Sequence, residues 1–112
     1  IEEPYSLSAI LQLHAAENHC LLVDCLTLWL TNLLCAEDKS RLQSEITSLL
    51  NILPTLPGHI ILVSNETGMG VVPLGELTRQ YCDEAGRLHQ ATAQICERVI
   101  LTVAGLPLHL KG

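Results

Sequence analysis

The chain has 112 residues, 48% of them apolar, with one Trp, two Tyr and no Phe. A single domain spanning residues 1–112 on an aliphatic core is expected, and a disordered chain is excluded. Twelve acidic against six basic residues give a net charge of −6, which argues against nucleic-acid or anionic-membrane surfaces, because phosphate backbones call for clustered Lys and Arg.

A small phosphate-bearing ligand is compatible with that charge, since backbone amides can hold it. The five cysteines at positions 20, 25, 35, 82 and 96 are odd in number and form no CxxC pair. They read as free thiols in a reducing cytoplasm. No apolar run approaches the roughly 20 residues of a spanning helix. The sequence begins at Ile1 without a Met and is expected to be part of something longer.

In chain order, Ile1 to Pro4 is a polar lead-in, and Ser6 is placed to cap a helix running to about Asn18, with Leu7, Ile10 and Leu11 on one face. Cys20 to Asp24 (CLLVD) reads as a strand closed by a carboxylate, the form of a Walker B strand, whose acid stands beside a nucleotide's metal. An Asp in that position also commonly just caps the next turn. Thr27 to Cys35 reads as a short buried helix. Ser40 and Gln43 have capping-box spacing, and Leu42, Ile46, Leu49, Leu50 and Leu53 then mark an amphipathic helix ended by Pro54 and Pro57-Gly58.

Ile60 to Val63 is β-branched at three of four positions, as in a strand buried on both faces. It opens into Ser64-Asn65-Glu66 and then Thr67-Gly68-Met69-Gly70, whose glycines permit positive φ and close backbone approach to a ligand. A buried strand leading into such a loop before a helix is where ligands bind in open α/β sheets. The same glycines could equally serve only a turn. A long helix is expected from about Leu74 to Glu97, roughly 36 Å at about 1.5 Å per residue, so that part of it projects toward another subunit. Asp83 and Arg87 are spaced for an i, i+4 pair, and Gly86 is expected to mark close packing or a bend. Val99 to Val103 is a further buried-type strand. Ala104-Gly105 turns the chain into Leu106 to Leu110, an antiparallel edge strand that tolerates Pro107. The architecture expected is α/β, with a mostly parallel sheet and flanking helices.

The phrase from Val63 to Pro73 (VSNETGMGVVP), the run Ala85 to Gln90 (AGRLHQ), the ending Val103 to Pro107 (VAGLP), and Leu22 to Thr27 with Thr31 to Leu34 together closely resemble one family. It is the bifunctional adenosylcobinamide kinase / adenosylcobinamide-phosphate guanylyltransferase of cobalamin biosynthesis. The resemblance covers essentially the whole chain. It implies a P-loop, RecA-like α/β fold and a homotrimer. It also implies use of GTP or ATP with Mg²⁺ to phosphorylate adenosylcobinamide, and then transfer of GMP from GTP through a guanylylated histidine. By the same resemblance, Glu2 in the lead-in and Asp24 at the strand end contact the nucleotide, and Asp24 can reach Mg²⁺ through water. From their positions, Asn65 and Glu66, with Gly68, Met69 and Gly70, are expected to form the substrate loop.

The sequence departs from the family in one large respect. The G-x-x-x-x-G-K-[ST] phosphate loop that cradles phosphates is absent from these 112 residues, whose only lysines are Lys39 and Lys111. None of His14, His19, His59, His89 and His109 matches the nucleophile position. The fold expected is therefore the P-loop type without its first strand, with both missing elements ahead of Ile1 and the 112-residue chain inactive alone. The competing reading is a degenerate, non-catalytic α/β module kept for oligomerisation through the long helix.

Overall fold

A computed structural model describes residues 1–66 and 75–112, with backbone alone at Glu76 and Leu77. The element order is α1 (Leu7–His14), β1 (Cys20–Asp24), α2 (Leu26–Leu34), α3 (Ser40–Ile52), a 3₁₀ turn (Leu53–Thr55), β2 (His59–Val63), α4 (Glu76–Ile95), β3 (Val99–Val103) and β4 (Leu106–Lys111). β1 and β2 pair in parallel from Cys20↔His59 to Asp24↔Val63, as helical crossovers favour. β3 and β4 form an antiparallel hairpin. Ala104 and Gly105 both have positive φ, 51° and 76°, as a two-residue type I′ turn requires.

The core lies among the helices. Leu7 and Leu11 of α1, the α2 set Leu26, Trp29, Leu30, Leu33 and Leu34, Leu42, Ile46 and Leu49 of α3, and Ala85 and Leu88 of α4 make one buried cluster. Of the residues predicted from apolar spacing, Leu7, Leu11, Leu42, Ile46 and Leu49 are in it and Leu50 and Leu53 pack against it partly buried, whereas Ile10 stays outside. Leu21, Val23 and Leu62 meet the cluster from one face of the β1–β2 sheet.

Several expectations are corrected. The strands are covered on one face only: Leu22, Ile61 and Val63 on the other are 65%, 50% and 40% exposed. Alternation along a strand sends successive side chains to opposite faces, and the helices cover just one. The expected continuous sheet is two separate two-stranded sheets, so β4 is not an edge of the parallel sheet but half of its own hairpin. Helix α1 stops at His14 and its capping residue Ser6 makes no side-chain cap bond. Ser40 makes no capping box either. Its amide and hydroxyl both donate to Asp38 Oδ1, at 3.0 and 2.6 Å, because the nearer carboxylate competes for the same donors. Arg87 pairs with Glu84 at 3.0 Å rather than with Asp83. A Cβ at Gly86 would meet nothing within 4 Å, so the glycine does not mark close packing.

Candidate functional site

The lead-in is tied down residue by residue. Glu3 accepts hydrogen bonds from the amides of Tyr5 and Ser6, at 3.0 and 2.9 Å. Those bonds hold its carboxyl below the usual carboxylate range. Trp29 Nε1 donates to Tyr5 O at 2.8 Å, and Asn32 Nδ2 to Pro4 O at 3.3 Å. Arg41 donates to Ser6 Oγ at 2.8 Å and stacks over the Tyr5 ring at 4.7 Å. Helices α2 and α3 thereby hold residues 3–6 in place.

Glu2, in this anchored lead-in, and Asp24, at the carboxyl end of β1, line one groove of about 760 Å³. Its walls include Ile10 and Leu11 of α1, Leu22 of β1, and Leu28, Trp29 and Asn32 of α2. The lining mixes apolar side chains with Glu2, Glu3, His14, Asp24 and Asn32, and a concave surface with a few convergent polar groups is the usual form of a small-molecule site. The structure thus brings together two predicted site residues that are 22 positions apart in the chain.

Asn65 and Glu66 follow β2, whose last residue Val63 pairs with Asp24, so all lie at the carboxyl end of the parallel pair. They do not line the Glu2–Asp24 groove. The Asn65 amide donates to Thr27 Oγ1 at 3.4 Å, which draws the chain toward the first turn of α2. Glu66 Oε2 stands 3.9 Å from His89 Nδ1 on α4. Gly68, Met69 and Gly70 lie outside the described residues. Among the described residues, no three His, Cys, Asp or Glu side chains converge as a metal cluster. The exposed Asp24 carboxylate is chemically suited to accept hydrogen bonds from the water shell of a nucleotide-bound Mg²⁺, an ion that usually keeps several of its waters.

One contact was not legible in the sequence. Ser64 Oγ and His89 Nε2 are 2.6 Å apart, joining the end of β2 to α4 across 25 positions. Helix docking, rather than a local motif, creates that contact. All five cysteines are free thiols, and no helix among the described residues is long and apolar enough to cross a membrane.

A family model described as cobinamide kinase / cobinamide phosphate guanyltransferase matches residues 1–110. The chain is 65% identical over 112 residues to the bifunctional adenosylcobalamin biosynthesis protein CobP of Pseudomonas aeruginosa, covering all of this chain and 65% of that protein. It is 32% identical over 124 residues to the bifunctional adenosylcobalamin biosynthesis protein CobU of Escherichia coli, covering 99% of this chain and 68% of that protein. It is 31% identical over 118 residues to the Salmonella typhimurium protein of the same name, covering 94% of this chain and 65% of that protein.

Proposed function

Since the chain belongs to the cobinamide kinase / cobinamide phosphate guanyltransferase family, we propose that it forms part of an enzyme of adenosylcobalamin biosynthesis that phosphorylates adenosylcobinamide and then transfers GMP from GTP to the resulting phosphate. The observation that carries this reading to particular residues is the shared groove of Glu2 and Asp24. Glu2 is assigned to the guanine nucleotide. Asp24 is assigned to the metal–phosphate end, holding Mg²⁺ of GTP or ATP through water. Positioning and electrostatic stabilisation dominate phosphoryl transfer, so one well-aimed carboxylate at a strand end has a large effect. Asn65 and Glu66, with Gly68, Met69 and Gly70, are assigned to the corrinoid or its phosphate.

The chain spans 65% of the length of its Pseudomonas aeruginosa relative. Within its 112 residues there is no phosphate loop and no histidine at the position of the family's nucleophile. The P-loop fold type, the trimer and the cytoplasmic setting belong to the same proposal. On this reading the 112-residue chain alone binds GTP undetectably by calorimetry. Tight binding would remove the need for a separate phosphate cradle.

The test uses the product of the complete reading frame, incubated with adenosylcobinamide, nucleoside triphosphate and Mg²⁺. Adenosylcobinamide phosphate and then adenosylcobinamide-GDP are the expected products. Asp24→Asn should lower kcat/KM by about 10²-fold, in line with loss of one electrostatic stabiliser. A well-folded protein that forms neither product would overturn the reading in favour of a non-catalytic module.

A further inference from the structure

We propose that Ser64, His89 and Glu66 form a proton relay that takes up the proton released when the substrate alcohol is phosphorylated. This rests on the kinase reading above and deepens it.

Three observations carry it. Ser64 Oγ lies 2.6 Å from His89 Nε2, and Glu66 Oε2 lies 3.9 Å from Nδ1 on the other side of the ring. The His89 side chain is only 22% exposed, shielded yet reachable through Ser64. An ionised carboxylate can only accept hydrogen bonds. The tautomer that suits both neighbours therefore carries its proton on Nδ1, facing Glu66, and leaves Nε2 to accept from the Ser64 hydroxyl. This is the order of hydroxyl, base and orienting acid by which many enzymes activate a side-chain hydroxyl. The 3.9 Å spacing is about 1 Å beyond a hydrogen bond, and such contacts commonly tighten only when substrate binds. Ser64 directly follows Val63, the partner of Asp24, so it stands at the carboxyl end of the parallel pair, where ligands of open α/β sheets bind, although neither Ser64 nor His89 lines the Glu2–Asp24 groove.

The alcohol oxygen attacks the terminal phosphorus of the nucleoside triphosphate, forming the new O–P bond as the bond to the leaving nucleoside diphosphate breaks. The alcohol's proton passes to Ser64 Oγ while Ser64's own proton passes to His89 Nε2. The resulting imidazolium faces Glu66 and later returns its proton to water. Ser64 touches the substrate, and His89 acts through it.

The contact could instead be a purely structural tie between α4 and β2. His89→Gln separates the two, because an amide can hold Ser64 but cannot take up a proton. In the product of the complete reading frame, His89→Gln and His89→Ala should both lose about 10²-fold in kcat for cobinamide phosphorylation. The KM for cobinamide should move by less than about threefold, since proton transfer is a transition-state term. Recovery of kcat in His89→Gln would overturn the relay. If His89→Ala fails to fold, His89→Gln and Ser64→Ala carry the test. Nitrogen-15 NMR of the wild-type imidazole should show the Nδ1–H tautomer, and the Nε2–H tautomer would overturn the relay whatever the activity. Wild-type protein with no phosphoryl transfer would overturn the kinase reading and the relay together, whereas full kcat in His89→Gln overturns the relay alone.

Discussion

Gly58 leads into β2 at φ +80°, and a Cβ there would run into the carbonyl oxygens of Ala16 and His19. Gly58→Ala should therefore cost about 1–3 kcal/mol or more, from backbone strain with a clash added. Gly86→Ala, in a helix interior with open space around it, should gain up to about 1 kcal/mol. Urea unfolding of the two variants checks the opposite signs. Glu3 has a second signature. Its pKa is depressed by the Ser6 and Tyr5 amides, so its stabilisation is complete above the ordinary carboxylate range and disappears as pH falls through the lowered value. The melting-temperature gap between wild type and Glu3→Gln should hold at neutral pH and close in acid. Burial raises the Cys96 thiol, whereas Cys20 and Cys35 are exposed. Alkylation followed by mass spectrometry should label Cys96 last of these three, because the thiolate is the reactive form.

Helix α2 shows what one element contributes. Its residues Leu30 and Leu33 are fully buried, while Leu28 is 59% exposed on the groove side. Leu30→Ala should cost about 2–5 kcal/mol through the lost contacts and the cavity left behind. Leu28→Ala should stay within about 0.5 kcal/mol in stability, and denaturant midpoints distinguish the two. The same helix supplies Trp29 and Asn32, which fasten the lead-in carrying Glu2. Its packing and its site-forming role are one arrangement. Helix α4 divides along its length: Ala85, Leu88 and Thr92 are buried, whereas Thr78, Arg79 and Gln80 are exposed. At 20 residues it is about 30 Å long, shorter than its sequence pattern implied.

For the molecule as a whole, the accessible surface of 7652 Å² is about a quarter more than the roughly 6,100 Å² expected of a monomer of this mass. Part of it is the open face of the parallel sheet, and part is the hairpin, where Leu106, Leu108 and Leu110 are 70%, 52% and 59% exposed. Two-stranded sheets with bare apolar faces and unpaired edges invite further pairing. The 112-residue chain in isolation should self-associate in light scattering at micromolar concentration. A monodisperse monomer with one cooperative melting transition would contradict this.

The sequence by itself determined the strands ending at Asp24 and Val63, the spacing of the helical cores and the hairpin turn. Each follows from local periodicity or a local φ requirement, which neighbouring residues alone can specify. Several features needed the tertiary structure: one covered face per strand instead of two, two sheets instead of one, Asp38 rather than the capping box holding Ser40, and Glu2 joined to Asp24 in a groove while Ser64 meets His89. These depend on where helices dock and which donors compete at close range, and that is decided by burial between segments far apart in the chain.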